Sequence, residues 1–309
     1  MPSQGDVREL VAFESERRTR LSIPAAAGGV LFLLSAIIAN AVITGLPTVG
    51  LVQGLEPALR GEANPLNPRA QEVRYLSHQA LGLVAGSVLQ AIAIGALVIV
   101  LLFLLRCAAA RNVPAPRAAK TLVIVGGVGL AFFGVAAQVL RAIRAHEFAL
   151  GHDFSESAVE HALTKGAIWA VIDYAGLLAP LVLVIGMVMV LLASTRAGLT
   201  TRWLRSLGIG AAVITLPFFA AIFYLQLIPA AWLVSIAFMF SGRLPGGDPP
   251  AWAAGEARPW PSAQEMRAAR LEAKGKGAPR SKAADLAPDP APPAQNGSSR
   301  KRRKRSGRR

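Results

Sequence analysis

One carboxylate stands inside an apolar run of this chain, and its chemistry sets the first question. Asp173 lies in the stretch from Gly166 to Ser194 and is the sole acid within any hydrophobic run. An ionised acid beside hydrocarbon is costly, so such a residue marks a proton or cation site or half of an ion pair. Arg141 and Arg144 stand at the far end of the preceding apolar run and could supply the other half. Asn40 and Gln138 fall toward the same outer half, so that Asn40, Gln138, Arg141 and Asp173 are the candidate polar site, a shallow pocket opening outward. Length argues for a milder role. Tyr174 to Ser194 is 21 residues, which at about 1.5 Å per residue already covers a hydrocarbon core of about 30 Å. Asp173 is therefore expected at the outer interface, hydrated and near Trp169 and Tyr174.

Other polar sets offer less chemistry. His146, Glu147, His152, Asp153 and His161 cluster in one link and could ligate a metal, but His146-Glu147 is followed at the fifth position by Leu150, not by histidine. A solvated loop is the expectation, with no metal site. Cys107 is the single cysteine, which excludes an intramolecular disulfide and a thiolate metal site. There is no phosphate-binding glycine loop, no nucleophile elbow and no dinucleotide fingerprint. No catalytic residues, no enzyme activity and no cofactor are expected. Gln90 and the other span amides should face a helix bundle and bond across it. Pro180 and Pro217 each free a backbone carbonyl inside an apolar run, and kinks for packing account for them better than a broken-helix binding site, because no internal repeat accompanies them.

The elements that must position these groups follow from hydropathy. Of 309 residues 53% are hydrophobic and 17% charged, and the mean hydropathy is +0.44. Runs of about twenty apolar residues read as bilayer spans. An all-α integral membrane bundle of about six spans is expected over residues 22–241, at roughly 24–45, 78–105, 121–140, 167–194, 206–225 and 226–240. The last pair must turn with almost no loop. Residues 1–21 mix charges with Val7, Leu10, Val11 and Phe13, and are expected as a surface helix. Ala39-Asn40-Ala41 resembles a leader cleavage site, but the acids Glu9, Glu14 and Glu16 upstream favour a retained span. Residues 46–77 read as a Pro- and Gly-containing loop. A short helix is expected before Gly166, opened by Asp153 and Glu156.

Charge is lopsided. Sixteen of the 33 Lys and Arg lie beyond Ser241, against six acids there. Residues 242–309 are rich in Pro, Ala and Gly and are expected to be a disordered basic tail, with a marginal helix near 262–274 behind the capping box Ser262 to Glu265. The tail closes on Arg300, Lys301, Arg302, Arg303, Lys304 and Arg305. The short links at 106–120 and 196–205 are basic and hold no acid, so both termini are expected in the cytoplasm, in the plasma membrane of a prokaryote. The tail has no interleaved aromatics, so sequence-specific nucleic-acid binding is not expected. Anionic lipid headgroups are its expected partner, or a membrane-protein or ribosomal partner met by charge neutralisation. These features imply a scaffold or accessory subunit, with a small-solute or proton-coupled transporter built on Asp173 as the alternative.

Overall fold

The chain is an α-helical membrane bundle. The computed structural model describes residues 4–47, 60, 68–114, 116–151, 156–163, 165–216, 223–244, 247–260, 267–268 and 271–272. Nine helices lie among the described residues: α1 (Gln4–Thr44), α2 (Pro68–His78), α3 (Ala80–Ala110), α4 (Ala118–Leu150), α5 (Glu156–Leu163), α6 (Ala167–Arg196), α7 (Arg202–Ile214), α8 (Phe223–Phe240) and α9 (Pro250–Ala254). Four of them, in α1, α3, α4 and α6, are long and apolar enough to cross a membrane. α7 and α8 are shorter, 13 and 18 residues, and residues 217–222, where Pro217 and their connection fall, lie outside the described residues. The helix seen as α8 begins at Phe223 rather than 226, with Pro229 in its second turn.

Six of these helices close into a ring. α1 packs on α3, α3 on α4, α4 on α6, α6 on α7, α7 on α8, and α8 returns to α1, while α3 and α6 also touch across the middle. Glycine permits the closest of these crossings. A Cβ on Gly126 of α4 would meet the backbone nitrogen of Leu183 at 2.3 Å, and one on Gly186 of α6 would meet that of Val123 at 2.8 Å. The α4–α6 pair is thus held backbone to backbone, as small residues allow where lipid offers no hydrophobic drive. The enclosed interior is apolar. Trp232, Phe240, Leu101, Leu183, Met187 and Leu233 are fully buried, and Ser35, Glu14, Arg111, Ser194 and Thr200 are the buried polar residues among those described.

Three differences from the sequence expectation change the architecture. α1 is one continuous helix through Pro24, about 60 Å long at 1.5 Å per residue, so its first turns extend the span instead of forming a separate surface helix. Proline removes a single hydrogen bond there, and the helix runs on through it to Thr44. Residues 68–78, expected as loop, form α2, whose Ala70, Val73 and Leu76 recur on one face and pack with Val42, Ala145, Phe148, Val159 and Ala162 into a second, small core. Finally, residues 247–260, expected within the disordered tail, carry α9 and bury Ala251 and Trp252. Beyond Trp260 the chain forms a separate unit, of which residues 267–268 and 271–272 are described and helical. The capping box at 262–265 and the basic run Arg300 to Arg305 lie outside the described residues, as do His152 and Asp153.

Candidate functional site

Polar groups gather at the two ends of the ring, and the two ends differ in construction. At one, α4 and α6 place Arg141 and Asp173 at matching depth. Arg141 is 23 residues from Ala118, the start of α4, and Asp173 is 23 residues from Arg196, the end of α6. Both therefore sit about 34 Å along their helices from the other end of the bundle, close to the thickness of the hydrocarbon core. They line one cleft of about 250 Å³ with Phe133, Gly134, Trp169 and Gly176. The Arg141 guanidinium lies over the Trp169 ring, 5.4 Å from its centre, and donates to Gln138 Oε1 at 3.3 Å. Gly176, whose carbonyl Pro180 releases, has open space where a side chain would be, which widens the cleft.

The direct ion pair anticipated for Asp173 is not formed. Asp173 is exposed and makes no contact of ion-pair length among the described residues, although its charge and that of Glu72 on α2 both act on Arg141. Arg144 instead donates to the Lys165 carbonyl at the turn where Gly166 takes a φ of +123°. Asn40 does not line the cleft. The structure thus brings together three of the four expected residues: Asp173, Arg141 and, through its hydrogen bond, Gln138. Gln90, expected to face the bundle, is exposed on α3. Chemically the cleft offers one carboxylate and one guanidinium that keeps its proton, a pair suited to anchoring or ion binding and lacking a second titratable group for acid–base transfer. Nearby, outside the spans, a hydrogen bond from Lys165 holds the Glu160 carboxyl below its ordinary range.

The other end carries a buried node that the sequence did not announce. α3 finishes with Asn112 in the left-handed region, φ 56°, and the amides of Asn112 and Val113 return to the carbonyls of Ala109 and Ala108, a glycine-type helix stop made by asparagine. This turn aims Arg111 back under the bundle. Its Nη1 and Nη2 donate to the two carboxylate oxygens of Glu14 on α1, at 2.9 and 2.6 Å. The same guanidinium donates to the carbonyls of Cys107, at 2.9 Å, and of Ala251 on α9, at 2.9 Å from Nη2. Two oxygens on one side and two carbonyls on the other satisfy it in full, which is what lets a charge stay buried. Trp252 closes the node: its ring stacks on Phe103, lies 5.4 Å from Arg111 and 5.3 Å from Arg18, and its Nε1 donates to the Leu199 carbonyl at 3.0 Å. Arg18 in turn pairs with Asp248 at 2.8 Å.

The C-terminus of α6 supplies the platform for this segment. Gly198, φ +77°, ends the helix, and a Cβ there would fall 1.9 Å from the Arg258 carbonyl oxygen, so a side chain would push the segment off. The amide of Arg258 donates to the Ala197 carbonyl. α3, α6 and α8 all end here in the same kind of turn, at Asn112, Gly198 and Gly242. Their carbonyl ends favour cations, in keeping with the arginines around them.

No known protein family, curated protein or solved structure matches this chain.

Proposed function

We propose that this chain is a non-enzymatic membrane scaffold or accessory subunit, with its bundle meeting a partner within the lipid and its basic tail acting at the cytoplasmic face. The observation that carries the reading is the closed, apolar interior. The α4–α6 crossing leaves no room for a side chain at Gly126 or Gly186, and four of the five buried polar residues belong to one end of the bundle. A bundle filled in this way is built for rigidity. The basic links at 106–120 and 196–205 support placing the Arg111 end in the cytoplasm of a prokaryotic cell. The run Arg300 to Arg305 would then meet anionic headgroups, or a protein or ribosomal partner, as a dense positive charge. The test uses the full chain in nanodiscs of zwitterionic lipid, mixed at low salt with anionic vesicles or with purified ribosomes. Deleting residues 300–309 is expected to weaken association with one of them by at least about ten-fold. Association unchanged with both would sink the reading.

A second reading, a small transporter or channel, is favoured by one observation, the cleft shared by Arg141 and Asp173. It requires that Asp173→Asn abolish solute uptake or proton coupling in cells while expression is kept. A folded variant with undiminished transport would end it.

A further inference from the structure

Arginines also crowd the outer side of the buried node, and two of them have no ion pair among the described residues. Arg17 and Arg20 on α1 and Arg106 on α3 ring the mouth of a groove of about 450 Å³ between these neighbouring helices, with Leu21, Ile99 and Leu102 along its walls. Arg20 pairs with Glu16 at 2.6 Å. Arg17 and Arg106 instead both approach the ring of one aromatic residue, Phe13, at 4.4 and 5.8 Å from its centre. Among the described residues neither has an ion-pair partner, whereas Arg18 and Arg111 beside them are matched to Asp248 and Glu14. The mouth is therefore a focus of unbalanced positive charge held by a ring that cannot neutralise it.

Below the mouth the groove turns apolar at once. From Arg106 to Ile99 is seven residues, about 10 Å of helix, and Ile99 is half exposed on the flank of α3, so the lower part of the groove lies open sideways to hydrocarbon. Arg106 stands near the end of the long apolar run of α3, at the depth where headgroups meet acyl chains. A small anion matches the mouth but leaves the walls unfilled. An amphiphile with a phosphate head matches both, as basic pockets between spanning helices do.

We propose that this groove binds one anionic phospholipid, its phosphate between Arg17 and Arg106 and one acyl chain along Leu21, Leu102 and Ile99. The site is independent of the C-terminal basic run and of the scaffold reading. Native mass spectrometry of the full chain, titrated with dioleoylphosphatidylglycerol or dioleoylphosphatidylcholine, tests it. One tightly retained phosphatidylglycerol is expected, preferred over phosphatidylcholine by at least about ten-fold. Arg17→Gln with Arg106→Gln should remove that preference, and Arg17→Lys with Arg106→Lys should keep most of it. A full chain with Arg300 to Arg305 changed to glutamine should retain the tight lipid. Leu102→Trp, which fills the wall and leaves the charges, should weaken the dioleoyl lipid relative to a dihexanoyl one, and it serves equally if the glutamine pair fails to fold. Equal binding of the two headgroups, full preference in the glutamine variant, loss in the tail variant, or displacement of the lipid by inorganic phosphate alone would each overturn the proposal.

Discussion

Glu14 and Arg111, 97 positions apart in the chain, hold each other in a two-pronged ion pair whose side chains are 5% and 0% exposed. Removing one member strands the other's charge away from water. Glu14→Leu or Arg111→Met alone is expected to lower stability by about 3–5 kcal/mol, and the double variant to recover most of that loss. Thermal unfolding of the three variants in one detergent checks this, and strictly additive losses would contradict it.

The α4–α6 crossing gives a second expectation. A methyl on Gly126 meets the Leu183 backbone, which cannot swing aside, so Gly126→Ala should cost about 1–3 kcal/mol through overpacking. Gly134 lies on the same helix and faces open space. Gly134→Ala should be neutral or stabilising by up to about 1 kcal/mol, since alanine is the better helix former. Unfolding midpoints of the two variants should therefore move apart, and equal shifts would deny the close crossing.

Asp173 can be located directly. Cys107 is 2% exposed, so a cysteine introduced at position 173 would be the accessible thiol among the described residues. In intact cells Asp173→Cys should react with a membrane-impermeant maleimide, whereas Arg106→Cys should react only after lysis. Labelling of neither, or of both, in intact cells would contradict the placement of Asp173 at the outer interface.

Trp252 fastens residues 247–260 to the bundle. Trp252→Ala removes the stacking on Phe103 and the bond to Leu199, a change worth about 3–5 kcal/mol for a buried aromatic. Amide exchange should accelerate across 247–260 with little change in α4, while Trp252→Phe, which keeps the ring contact, should lie between. Uniform acceleration throughout the bundle would show that the segment is not a separable clasp.

What the sequence made legible follows physical range. The four long helices were readable because spans are continuous apolar runs, a local property. Arg141 was readable as the neighbour of Asp173 from the antiparallel order of two adjacent runs, and the two line one cleft. The ion pair of Glu14 with Arg111 was not, because nothing near either residue distinguishes it from other charges at a membrane edge. Composition misled at 247–260, where proline and glycine frame one tryptophan whose burial depends on a helix end fifty residues earlier. It misled again at 68–78, where three apolar residues on one face of α2 find partners in α1, α4 and α5. Gly126 and Gly186 were visible as small residues, yet which backbone each one touches is a property of the assembled ring.

The acceptors around Arg111 also have an order in time. Glu14 is made first with α1, Cys107 and Arg111 follow at the end of α3, and Ala251 comes only when the rest of the bundle has been synthesised. Until then part of the guanidinium's hydrogen-bonding capacity must be met by water, and the corner cannot dry. Its closure therefore registers that translation has run past α8. A chain stopped at Arg243 is expected to leave Cys107 open to thiol reagents that the full-length chain keeps out.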